Sequence, residues 1–116
     1  MDKKELKDAF KQYKPEMGVY AFICRSLNKA YIGYGQNLKG DINSVTFQLK
    51  TGSYMSNKTT DLLNDWNKFG EADFEITVLE RLDYAKDESK TDYTDELKTL
   101  RDLCAERFKK FEFLQK

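Results

Sequence analysis

Two tripeptides stand out as residues that could do chemistry: Gly18-Val19-Tyr20 and Tyr31-Ile32-Gly33, with ten residues between them. Tyrosines on strands more often pack and hydrogen-bond than catalyse, and glycines there permit close approach or a kink. The pair therefore reads either as a hairpin or as the lining of a site. The chain has no histidine, which removes the commonest general base and the commonest zinc ligand together. Zinc fingers and histidine-based triads are excluded. Cys24 and Cys104 lie far apart inside apolar patterns and read as buried thiols in a reducing compartment.

The elements that must position these residues follow from periodicity. With 116 residues the chain suits a single domain, 1–116, able to bury one core without disulfides or metal. Leu6, Ala9, Phe10 and Tyr13 predict an amphipathic helix over 2–14, ended by Pro15. Val19 to Cys24 is apolar on both faces, "RSLNK" supplies a turn and "AYIGYG" resumes the extended pattern, so 17–35 reads as a β-hairpin. Leu38, Ile42, Val45 and Leu49 form one helical stripe closed by Gly52. Leu62, Leu63, Trp66 and Phe69 form a second, stopped at Gly70. "DFEITVLE" alternates as a half-buried strand, and the charged "DYAKDESKTDY" reads as a loose surface loop. Tyr93, Leu97, Leu100, Cys104, Phe108 and Phe111 repeat at three and four residues and predict a long final helix over about 92–112. The expected class is α+β, a small three-stranded antiparallel sheet flanked by helices.

Charge narrows the partners. The net charge is zero, but residues 1–60 hold ten Lys and Arg against five Asp and Glu, and residues 61–116 hold ten against fifteen. Duplex-binding domains usually carry a clear basic excess, so strong nonspecific DNA affinity is not expected. A local basic face built from Lys14, Arg25, Lys29, Lys39 and Lys50 is still open to a phosphate backbone, and the acidic second half suits a protein partner. The opening "MDKKELKDAFKQYK" is charged where a signal peptide needs an apolar stretch, and no later run has the length of a membrane span. The expectation is a cytoplasmic protein with no membrane partner.

The "GVY" at 18–20 and "YIG" at 31–33 resemble the signature of the GIY-YIG nuclease superfamily, with valine in place of the usual isoleucine. The resemblance extends through "NLKG" and "DWNKFGEADFEITVLE" into the final helix, covering roughly residues 17 to 105, and is strongest to small bacterial members. It implies phosphodiester cleavage with one divalent metal, Mg²⁺ if the protein is active. In that scheme Tyr20 and Tyr31 occupy the motif tyrosine positions that help activate water, and Gly18 and Gly33 the motif glycines. An arginine on the next helix holds the phosphate, and a glutamate on the helix after the third strand carries the metal.

Several of these positions depart from the pattern. Eight residues past Gly33, where the arginine is expected, stands Asp41, with Lys39 two residues away. A carboxylate about 5 Å from a phosphate charge costs on the order of 3 kcal/mol at an effective dielectric of about 20. Aligning the apolar register of the final helix puts Arg101 at the glutamate position. Asp102 is adjacent but about 100° around the helix, and Glu96 serves only if the register slips by more than a turn. No asparagine follows Asn67 to match one that the family tends to place after this helix. Two readings follow. One is a GIY-YIG-like domain with a degenerate site that has lost efficient cleavage and binds a protein or nucleic-acid partner. The other is an active Mg²⁺-dependent endonuclease with relocated groups: Lys39 or Arg25 on the phosphate, and Glu96 or Asp102 on the metal.

Overall fold

The computed structural model describes residues 14–54 and 61–115; the predicted helix over 2–14 lies almost wholly outside them. Strands β1 (Met17–Cys24) and β2 (Lys29–Gly35) pair antiparallel around the turn at 25–28, with Gly18 opposite Gly35 and Cys24 opposite Lys29. Helix α1 (Leu38–Thr51) follows, then α2 (Asp61–Phe69), a short 3-10 turn, and β3 (Phe74–Leu82), antiparallel to the other edge of β1. Helix α3 (Thr94–Ala105) and a three-residue strand β4 (Phe111–Phe113) complete the described chain.

The sheet corrects the expected one. It has four strands in the order β3-β1-β2-β4, and β4 runs parallel to β2, so the sheet is mixed. The final helix is correspondingly shorter than predicted, ending at Ala105 where 112 was expected. The physical reason lies at the edge of β2. The Ala30 N–H donates to Lys110 O at 3.0 Å and Ile32 O accepts from the Leu114 N–H at 2.9 Å, main-chain groups that continued helix would leave unpaired. Phe111-Glu112-Phe113 carries an aromatic, charged, aromatic alternation that suits a strand as well as its spacing suits a helix.

Alternation along the central strands divides the interior into two layers. Tyr20, Phe22, Cys24 and Tyr31 face α1 and α2, packing with Leu38, Leu49, Leu62 and Trp66. Val19, Ala21, Ala30 and Ile32 face the other way, onto Cys104 and Ala105 of α3. Both thiols are free and buried, as their apolar settings suggest. Tyr93, predicted on the helical stripe, is buried just ahead of α3 beside Met17 and Leu97. Among the described residues no helix is long and apolar enough to cross a membrane.

Candidate functional site

The two motif tyrosines lie on the same side of the sheet, and both are sealed from solvent, Tyr20 at 2% exposure and Tyr31 at 0%. The register puts Tyr20 opposite Gly33, and its ring lies over that glycine so closely that a Cβ there would come within 2.5 Å of Tyr20 Cζ. Gly18 serves a different contact: a side chain would collide with the main chain of Glu80 and Arg81 on β3, where a shift in register marks a bulge. The motif glycines thus make room for a ring in one case and for a neighbouring strand in the other.

Each tyrosine meets a carboxylate. The Tyr31 hydroxyl donates to Asp65 Oδ2 on α2 in a short hydrogen bond. Burial first, then that hydrogen bond and the charge of Asp65, hold the phenol well above its ordinary value. Tyr20 is also raised, chiefly by burial and then by the charge of Asp41 and by Tyr54. At neutral pH both phenols keep their protons, so both are hydrogen-bond donors and neither is a ready proton acceptor. Asp65 was not singled out by sequence reasoning. The available signal was its place between the buried Leu62 and Trp66 on the α2 stripe, where a carboxylate calls for a buried partner.

Asp41, at the position where the resemblance expects an arginine, is occupied locally. Asn37 caps α1 by accepting from the Gly40 N–H at 3.1 Å, and the Asp41 carboxylate takes the Asn37 main-chain N–H in return. This is a reciprocal cap in which two otherwise orphaned donors are satisfied. The carboxylate lies where a Cβ of residue 35 would be, so Gly35 makes the arrangement possible. Burial raises the Asp41 carboxyl, and the Asn37 hydrogen bond partly opposes the rise.

The remaining candidates are dispersed. Lys39 is exposed near the Gly35 end of the hairpin, whereas Arg25 lies past its other end, donating to Ala72 O at 3.4 Å. Six residues of strand separate those ends, about 20 Å. The suggested basic face is not continuous either. Lys14 sits over the Tyr84 ring, Lys29 pairs with Glu112 at 3.2 Å, and Lys50 pairs with Glu71 at 3.3 Å.

On α3, Arg101 is 7% exposed, and its guanidinium lies 4.0 Å from the Phe113 ring centroid and 5.4 Å from that of Tyr34. It donates to Gln115 O at 2.9 Å and pairs with the exposed Asp102 at 3.3 Å. The side chain of Gln115 in turn bonds both the N–H and the C=O of Tyr34, at 2.7 and 2.9 Å. Arg101 is therefore on the opposite side of the sheet from Tyr20 and Tyr31, and its carboxylate partner is Asp102 in place of Asp41.

A divalent metal does not fit the residues at these positions. Arg101, which the resemblance aligns with the glutamate, carries a guanidinium, and α3 packs on the sheet face away from both tyrosines. Among the described residues no group of three or more His, Cys, Asp or Glu side chains is placed to hold a metal ion. Glu96, in the first turn of α3, pairs one oxygen with Lys90 at 3.1 Å, while its Oε2 is buried without a hydrogen-bond partner.

No protein-family model matches the sequence, and no curated protein matches it either. Solved structures do. The catalytic domain of the homing endonuclease I-TevI superposes with a TM-score of 0.60 at 23% identity, over 79% of this chain and 87% of that one. A mutant form of the same catalytic domain superposes with a TM-score of 0.59 at 22% identity, over 80% of this chain and 84% of that one. Hairpin, helix pair, third strand and packed final helix thus assemble into a GIY-YIG-like fold.

Proposed function

We propose that the protein is a GIY-YIG-like domain that acts by binding nucleic acid and has lost efficient phosphodiester cleavage. The observation that carries this reading is the fate of the two motif tyrosines: both are buried, and both meet aspartates. A site that activates water on a phosphodiester needs solvent access and positive charge at the phosphate; here carboxylates meet both phenols, and the Lys29 ammonium over the Tyr31 ring is already paired with Glu112. Losing an arginine that stabilises phosphoryl-transfer charge costs roughly 10³ to 10⁵ in rate. Lys39 is a poor replacement because it lacks the planar fork. Nucleic acid is favoured as partner by the fold shared with an endonuclease domain.

A second reading has one observation on its side, the buried and unpartnered Oε2 of Glu96. It makes Glu96 the metal ligand of an active nuclease. The experiment that separates the two is nicking of supercoiled plasmid with Mg²⁺, with Mn²⁺ and with EDTA, by the protein and by Tyr31→Phe and Glu96→Gln. The expected result is no metal-dependent nicking. Nicking that disappears in either variant would establish the second reading and overturn the first.

A further inference from the structure

The sheet edge created by β4 carries a feature that neither tyrosine motif uses. A cavity of about 440 Å³ opens beside the β1–β2 turn, lined by Leu27, Lys29, Lys109, Lys110, Phe111 and Glu112. Its aromatic wall is Phe111, which remains 40% exposed although it is part of a strand, and whose ring is braced against Phe113 at 5.3 Å between centroids. The register with β2 puts Phe111 on the α3 side of the sheet and Glu112 on the other, and the cavity lies where the start of β4 meets the β1–β2 turn. β4 is the last strand in the sheet order.

The charges there are not equivalent. Lys29 is committed to Glu112 at 3.2 Å and Asp61 at 3.9 Å, so it offsets part of the acidic charge on that side and is not available to a phosphate. Lys109 and Lys110 have no carboxylate partner among the described residues. What remains is an exposed ring and two ammonium groups without a carboxylate partner among the described residues, in a volume of nucleotide size.

We infer that this cavity binds single-stranded nucleic acid, with an unpaired base stacked on Phe111 and the adjoining phosphates on Lys109 and Lys110. The inference rests on the binding reading above and gives it a substrate class and a place. Stacking on an aromatic ring is open to a splayed base and closed to a paired one, and it supplies affinity without a large basic surface. A chain with zero net charge and only two free lysines at the site meets that condition, whereas a duplex binder needs more phosphate contacts.

The test is fluorescence anisotropy with labelled oligothymidylate and with a duplex of the same length. The single strand should bind more tightly than the duplex, with a salt slope of about −1.4, as two contacted phosphates imply. Phe111→Leu, which keeps the surface apolar, should weaken binding about five- to a hundred-fold, and Phe111→Trp should retain it. Lys109→Gln combined with Lys110→Gln should flatten the salt dependence. Equal affinity for the duplex, unchanged binding by Phe111→Leu, or equal competition by polyglutamate would overturn the inference. The nicking assay fails separately. A protein that does not nick and does not bind oligothymidylate loses only this inference, and one that nicks while depending on Phe111 for the strand loses only the claim of lost cleavage.

Discussion

At the scale of single residues, Asp41 is the telling one. Burial lifts its carboxyl above the ordinary 3.8, so the folded state holds that proton more tightly than the unfolded chain does. Its favourable contribution is full below that value and is lost as pH rises through the folded value. At neutral pH the charge thus works against folding. Asp41→Asn, which keeps an oxygen for the Asn37 N–H, should raise the urea midpoint; a lower midpoint would show that the charge itself is needed at the start of α1. The tyrosines act in the same direction, at alkaline pH. Both phenols are raised from an ordinary 10.0, so their contribution is full below about that pH and erodes above it. Tyrosinate absorbance should show two phenols that ionise only as the protein unfolds at alkaline pH. Tyr31→Phe, which strands the Asp65 carboxylate, should cost about 1–3 kcal/mol of stability in denaturant titration.

At the scale of elements, the hairpin and the α1 and α2 stripes were legible because their signals are local: alternation between turn residues, and leucines spaced by three and four before a stopping glycine. The end of α3 was not. Phe108 and Phe111 continue the helical spacing, and what overrides it is the unpaired edge of β2, many residues away. Motif positions Tyr20, Tyr31 and Asp41 could be found by counting, but their partners could not. Nothing in the sequence links Tyr31 to Asp65 or Arg101 to Gln115 until the helices are packed. Arg101 also marks the fastening of β4 to the sheet, since it binds the main chain just beyond the strand while stacking on Phe113. Arg101→Met should destabilise the protein by about 1–3 kcal/mol and speed hydrogen exchange at the Tyr34 and Leu114 amides ahead of those in β1. Uniform acceleration across the sheet would show a general packing role.

At the scale of the whole molecule, the fold and the local roles of its polar residues can be read separately. The fold is GIY-YIG-like, and within it Tyr31 is tied to a helix carboxylate, Asp41 caps a helix and Arg101 braces a strand. Fold alone does not carry activity. One bulk measurement follows: millimolar Mg²⁺ should leave the thermal midpoint unchanged, because a ligand shifts stability only by binding the folded state. A rise that is abolished by Glu96→Gln would return attention to that orphaned oxygen. The parallel strand has a consequence of another kind, for the order of assembly. The antiparallel hairpin can zip from its turn, but β4 meets β2 only after the chain between them has been drawn into place, with Tyr34 and Gln115 separated by 81 positions. Contacts that distant carry a heavy closure entropy and form late. Until they form, β2 presents a bare edge to any other strand, so aggregation during refolding should arise there, and a slow phase reported by the Phe111–Leu114 segment should mark its end.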